Sequence, residues 1–475
     1  MRIEGRVRPV NVSFLQELLN GIAEQGRHLL PRSLGRSAPK DSINELAEAL
    51  LSGRGEASGV AIAREILESY RVLSKSERVS FLTFLARSMQ PDDEEVLRAA
   101  RTYLNTPGAA SIAALQQAVE SPRQEFFRRL NLAPGATAQI VSMRRDLLDA
   151  REPDHVPLDR DLMHLLTSWF NRGFLVLRRI DWQTPAAILE KIIAYEAVHQ
   201  INGWDDLRRR LDPTDRRCFA YFHPSLIDEP LIFVEVALMR HIPDNIQDVL
   251  QEASKNGEAG EPPTVAVFYS ISNCQEGLRG ISFGNFLIKQ VVEDLMKEIS
   301  SLRTFVTLSP MPQFAEWLDD VMEDQDSPLL TPEERRRLDL IEDPAWVGTN
   351  VADSIKPILM RLAAHYFLNA KSHGEPVDPV ARFHLGNGAR LERINWLGNN
   401  SPKGLREAHG LMCNYRYEIR DIEKNHEAYT NEGTVAASRQ VHALLKPERA
   451  KAEGSKLLTL SRLRAGRTPV ESSDR

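Results

Sequence analysis

Four consecutive stretches decide how this chain folds: TVAVFYSIS (residues 264–272), the loop Arg279-Gly280-Ile281-Ser282-Phe283-Gly284-Asn285, the run 285–300, and TFVTL (304–308). The first and last are short and rich in β-branched and aromatic residues, which predicts strands. Between them Phe286, Ile288, Val291, Val292, Leu295 and Ile299 recur at helical spacing and make one apolar stripe. The order is strand, turn, helix, strand, and the C-terminal half is therefore mixed α and β. The loop lies where a helix N-terminus leaves backbone N–H groups unpaired, and its glycines would let a phosphate approach them closely. Its spacing is neither GxGxxG nor GxxxxGK[ST], which excludes the Rossmann and P-loop readings. An ordinary strand-to-helix turn explains the loop equally well.

Upstream the texture differs. Apolar residues recur at three- and four-residue steps through the first ~170 residues. The helices expected there are one capped by Asp41 and Ser42, Val60 to Leu73, one opening at Ser76, Asp92 to Leu104, Ala110 to Val119 and Ala138 to Leu148. Pro91, Pro107-Gly108 and Pro134-Gly135 punctuate them as in a helical bundle. The texture changes near Asn171-Arg172-Gly173, after which come a helix from Thr184 to His199 and a strand from Leu231 to Met239. The expected fold class is α+β, with three segments: a helical domain over 1–171, a mixed α/β domain over 172–447, and a mobile basic tail over 448–475. The arginine runs 208–210 and 335–337 fall on predicted helices and read as solvated faces; Thr331-Pro332-Glu333-Glu334 opens the second.

The 475 residues are 42% hydrophobic and 27% charged, which excludes a mainly disordered chain. Sixty basic against 66 acidic side chains leave a net charge of −6, so no global field draws the protein to nucleic acid or to an anionic membrane. The longest apolar stretches fall short of the ~20 residues a spanning helix needs. Cys218, Cys274 and Cys413 lie far apart with no CxxC pair, as in a protein of a reducing compartment. No apolar run follows Arg2, Arg6 and Arg8, and the cytoplasm is the expected location.

Two further features bear on chemistry. In Thr307-Leu308-Ser309-Pro310-Met311-Pro312 the prolines would hold Ser309 at a strand terminus, where ligand sites of open sheets tend to lie; a rigid turn with a hydroxyl cap is the bland alternative. In Arg382-Phe383-His384-Leu385-Gly386-Asn387-Gly388 a histidine stands beside an amide, offering an acid/base group and a donor, although a lone histidine is more often structural. None of the twelve histidines forms HExxH or a Cys/His cluster, and no metal is expected.

Taken together and in order, these segments closely resemble the malonyl-CoA decarboxylase family. The resemblance rests on FYSIS (268–272), RGISFGN followed by FLIKQVV, LSPMP (308–312), RFHLGNGARLERINW (382–396) and GLMCNYRY (410–417), and extends from roughly Leu162 to Tyr417. The loop also approximates the Arg-x-x-Gly-x-Gly segment with which GNAT-type acyltransferases hold the CoA pyrophosphate, except that Ser282 stands at the first glycine. The resemblance implies a helical domain used in oligomer assembly and a GNAT-like catalytic domain that converts malonyl-CoA to acetyl-CoA and CO2 without metal or biotin. The CoA belongs to the substrate, and no other cofactor is implied. Carried over by motif, the catalytic pair is Ser309 and His384. The CoA-binding loop is Arg279, Gly280, Ile281, Ser282, Phe283, Gly284 and Asn285, and Ser270, Tyr417 and Asn387 are supporting positions. Ser282 departs from the glutamate of some members, including the animal enzymes. A homodimer or homotetramer is expected. A GNAT-type acyltransferase and a non-catalytic malonyl-CoA sensor are the alternatives from other classes; the retained Ser309 and His384 favour the lyase.

Overall fold

The computed structural model describes residues 39–52, 55–251, 261–281, 287–341 and 346–446. Ser282, Phe283, Gly284, Asn285 and the tail 448–475 lie outside the described residues. The chain divides into two compact units, Met1–Glu235 with Ser270–Asp294, and Val236–Tyr269 with Leu295–Arg475.

The first unit opens on helices, as the periodicity predicts: no strand precedes residue 176 among the described residues. The helix Lys75–Ser88 starts at a capping box in which the Ser74 side chain accepts from the Glu77 N–H and Glu77 accepts from the Ser74 N–H, slightly ahead of the expected start at Ser76. The helix Pro122–Leu130 has only Phe126, Phe127 and Leu130 among polar residues, too sparse a stripe to announce itself. All three are fully buried, the two rings meeting edge-to-face at 5.1 Å. Beyond the helices, β1 (Val176–Ile180) pairs antiparallel with β2 (Arg216–His223) from Val176↔Phe222 to Ile180↔Cys218. β3 (Leu226–Met239) follows β2 in the sheet, and β4 (Val265–Asn273) follows β3. The helix Ala186–Tyr195 packs Ile188, Leu189 and Ile192 into a core with Cys218, Phe222, Phe233 and Cys274.

In the second unit β5 (Thr304–Thr307) runs parallel to β4, register Val265↔Thr304 to Phe268↔Thr307. This is the strand, helix, strand unit read from the sequence, its helix being Leu287–Glu298 among the described residues. β6 (Ser309–Pro310), the ribbon β7 (Lys371–Ser372) with β8 (Glu375–Pro376), β9 (Arg390–Asn395) and β10 (Met412–Tyr417) complete the strands. β10 pairs antiparallel with β5, β6 and β9. A helical N-terminal region followed by a mixed sheet is the fold class expected.

The arginine runs are not simply solvated. Arg210 is buried and donates to Glu235 at 3.0 Å, a carboxylate with no exposed surface. Arg335 is buried as well and donates to the carbonyls of Val321, Met322 and Asp324. Each run is amphipathic: one arginine turns inward to satisfy buried acceptors while its neighbours stay in water. Burial pushes Glu235 up to about 8, against the opposing pull of Arg210. Arg210→Ala removes the donor from this buried carboxyl, which can take up a proton in response, and is expected to cost about 1–3 kcal/mol, read as a lower midpoint in denaturant. Joint replacement by Arg210→Met and Glu235→Leu is expected to recover most of the loss.

Candidate functional site

In the second unit three of the sequence-chosen residues converge. Ser309 starts β6, and His384 lies in the last turn of the helix Pro379–Gly386, 3.3 Å from Ser309 Oγ through Nε2. Tyr417, the last residue of β10, places its hydroxyl 2.8 Å from His384 Nδ1. All three are buried. The His384 ring stacks on Tyr415 at 4.5 Å between centroids and 25° between planes.

The helix that carries His384 is fastened at both ends. Asp378 caps its N-terminus, accepting from Ala381 N–H at 2.8 Å and from the Tyr366 hydroxyl at 3.0 Å. Burial raises this carboxyl to about 6. At the other end Ala389 N–H reaches the His384 carbonyl and Gly388 N–H the Leu385 carbonyl. This is a Schellman stop, and it needs the left-handed φ of 79° found at Gly388. Asn387 is part of that stop. Its side-chain amide donates to the Phe383 carbonyl at 2.6 Å rather than to the Ser309–His384 pair.

Burial alone pushes His384 down to about 3, so the imidazole is neutral, and Tyr417 is held well above its usual value as a phenol. Neutral histidine donates from one nitrogen and accepts at the other. The site therefore combines a hydroxyl, a neutral imidazole and a phenol in a dry environment, able to hold or pass one proton along a fixed line.

Thr307 is a site residue that the sequence reading missed. Its Oγ1 accepts from Ser309 Oγ at 2.8 Å and from Tyr415 N–H at 3.1 Å, and the residue has no exposed surface. The signal was the Thr-x-Ser spacing at a strand end, since alternate strand residues share a face.

In the first unit Ser270 donates to both oxygens of Glu196, at 2.7 and 2.9 Å, and Ser272 to the nearer one at 3.3 Å. Glu196 also accepts from Val198 N–H and His199 N–H at 2.8 and 2.7 Å. A buried carboxylate is thus hydrogen-bonded on all sides, and it too was missed. The start of the candidate CoA loop is a type II turn. Arg279, at φ -56° and ψ 131°, and Gly280, at φ 82°, are its central residues. Ile281 N–H closes the turn on the Leu278 carbonyl at 3.0 Å. Arg144, buried and paired with Asp159, donates to the carbonyls of Gly277 and Arg279, both at 2.8 Å. Among the described residues no group of three or more His, Cys, Asp or Glu could hold a metal ion.

Comparison with known proteins bears on this arrangement. Two family models match, the malonyl-CoA decarboxylase N-terminal domain over residues 89–170 and the malonyl-CoA decarboxylase C-terminal domain over residues 173–455. Malonyl-CoA decarboxylase, mitochondrial, of Anser anser anser is 34% identical over 461 residues, covering 90% of each chain. The crystal structure of malonyl-CoA decarboxylase from Rhodopseudomonas palustris aligns with a TM-score of 0.81 at 51% identity, over 86% of this chain and all of that one. The Agrobacterium vitis structure aligns with the same TM-score at 54% identity, over 85% of this chain and all of that one. The chain belongs to the malonyl-CoA decarboxylase family.

Because the folded state holds His384 near 3 while the unfolded chain titrates near ~6.5, the unfolded state binds more protons across that interval. Stability from this residue is present above pH ~6.5 and is lost as the pH falls towards 3. Denaturant midpoints measured from pH 7 to 4 should therefore fall less steeply in His384→Asn than in the unsubstituted protein.

Proposed function

We propose that the chain converts malonyl-CoA to acetyl-CoA and CO2, with the malonyl group held at Ser309 and His384 and the CoA pyrophosphate on the loop 279–285. The observation that supports this most directly is the buried line Ser309–His384–Tyr417. In the reaction the bond between C2 and the carboxylate breaks. Its electron pair becomes the thioester enolate, CO2 departs and C2 takes one proton, so each turnover consumes a proton. The thioester delocalises the charge itself, which removes the need for a separate electron sink. What the protein must supply is donors for the developing oxyanion and an acid at C2. His384 is that acid. Neutral in the free protein, it gains affinity for a proton when the malonyl carboxylate lies beside it, because a neighbouring negative charge favours the imidazolium. Ser309 orients His384, and Ser270 and Tyr417 support the site, Tyr417 at Nδ1 of the histidine.

The reading includes no metal and no biotin, a homodimer or homotetramer built through the helical segment 1–171, and no nucleic acid or membrane partner. The described thiols Cys218, Cys274 and Cys413 are all buried and free, which supports a reducing compartment, the cytoplasm in this reading. Purified protein incubated with malonyl-CoA in EDTA and avidin should release acetyl-CoA and CO2 in equal amounts. Release of CoA that depends on an added amine would instead indicate an acyltransferase. Ser309→Ala and His384→Asn should each lower kcat by about 100-fold or more while leaving the thermal transition cooperative; near-normal turnover in both folded variants would overturn the site.

A further inference from the structure

The hydrogen bonds around Ser309 and His384 have a direction, and Thr307 sets it. Ser309 carries one hydroxyl proton. It donates that proton to Thr307 Oγ1 at 2.8 Å, in a position where Thr307 Oγ1 also accepts from Tyr415 N–H. Ser309 Oγ and His384 Nε2 lie 3.3 Å apart. That contact has no proton from the serine, so the proton in it belongs to the histidine. At the other side of the ring Nδ1 lies 2.8 Å from the Tyr417 hydroxyl. With Nε2 protonated, a neutral ring accepts there.

We infer that Thr307 is a positioning residue, locking Ser309 as an acceptor and thereby holding His384 as the Nε2–H tautomer that Tyr417 supports from Nδ1. The inference rests on the assignment of Ser309 and His384 as the reacting pair. Burial of the imidazole in its neutral form agrees with a single tautomer. The direction has a chemical consequence: the imidazolium formed beside the malonyl carboxylate gives its proton to C2 from Nε2, and a proton returned to Nε2 with release of the one on Nδ1 restores the Nε2–H tautomer for the next turnover. Without the Thr307 acceptor the serine proton is free to turn towards Nε2 and stabilise the opposite tautomer, in which that nitrogen has nothing to give.

The full chain labelled with nitrogen-15 histidine, with His384→Gln to assign the resonance, reports the tautomer by solid-state NMR. The expected result is a neutral His384 protonated at Nε2 in the unsubstituted protein and in Thr307→Ser, and both tautomers in Thr307→Val. Thr307→Val should lower kcat about 10- to 100-fold with KM within about twofold, and Thr307→Ser, which keeps the acceptor, should stay within about threefold of the unsubstituted protein. An Nδ1–H tautomer in the unsubstituted protein, full turnover in Thr307→Val, or equal loss in Thr307→Ser would overturn the inference. If Thr307→Val does not fold, the unsubstituted tautomer and Thr307→Ser still decide it. If the unsubstituted protein does not decarboxylate malonyl-CoA, the underlying assignment fails, while the tautomer measurement continues to test the direction of the hydrogen bonds.

Discussion

The arrangement at Ser309 depends on an interruption in strand pairing at Thr307 and Leu308. β10 pairs with β5 through Arg416↔Val306 and Tyr417↔Phe305, and with β6 through Met412↔Pro310 and Cys413↔Ser309. Between these two ladders the backbone partners are replaced. Leu308 N–H turns to the Phe268 carbonyl of β4 at 3.0 Å, the Thr307 carbonyl is taken by the Asn414 side-chain amide at 2.7 Å, and Tyr415 N–H is taken by the Thr307 hydroxyl. A buried peptide group left unpaired would cost about 1–3 kcal/mol, so the interruption is tolerated because the Phe268 carbonyl and the side chains of Asn414 and Thr307 supply the partners. Asn414 is itself braced, its carbonyl oxygen accepting from Asn395 at 2.9 Å and from Arg393 at 3.2 Å. The step aims Ser309 at the histidine, and the asparagines maintain it.

The histidine's charge state is decided by competition between two effects of known size. A cation in the last turn of a helix gains roughly 0.3–1 kcal/mol from the dipole, which would favour the imidazolium. Burial opposes it, and a fall from ~6.5 to about 3 corresponds to roughly 5 kcal/mol. Desolvation wins by several-fold, and the ring is neutral until a charged group arrives. The double fastening of the helix matters for the same reason: a ring held in a dry site by Asp378 at one end and the Schellman stop at the other cannot swing out to recover solvation.

Much of this was legible in the sequence because it is local. The parallel pair β4 and β5, the strand terminus at Ser309 and the capping box at Thr331 each follow from a few neighbouring residues. What was not legible depends on distant partners or lacks a period. β2 is buried nearly throughout, so RRCFAYFH shows no alternation to mark it as a strand. Arg210 reads as surface until its partner is known, although a lone Glu235 inside the apolar run of β3 was a signal for a buried charge. The helix that carries His384 was not read from the sequence, having only eight residues, yet Asp378 followed by Pro379 is a sound helix start.

Two hydroxyl pairs at alternate strand positions, Ser270/Ser272 and Thr307/Ser309, show how one sequence device serves different chemistry. Ser270 and Ser272 both donate to the side chain of Glu196, so both hydroxyl protons of that pair are directed at one acceptor. Ser309 donates to another hydroxyl and keeps lone pairs for His384. A nucleophilic serine requires the reverse polarity, with its proton pointing at the imidazole that will remove it. With Ser309 donating to Thr307 Oγ1, and in the Nε2–H tautomer inferred above, the proton points away from the imidazole and the ring faces the serine as a donor. In the proposed reading this polarity suits a histidine that gives a proton to C2 and a serine that orients it rather than attacking the acyl group.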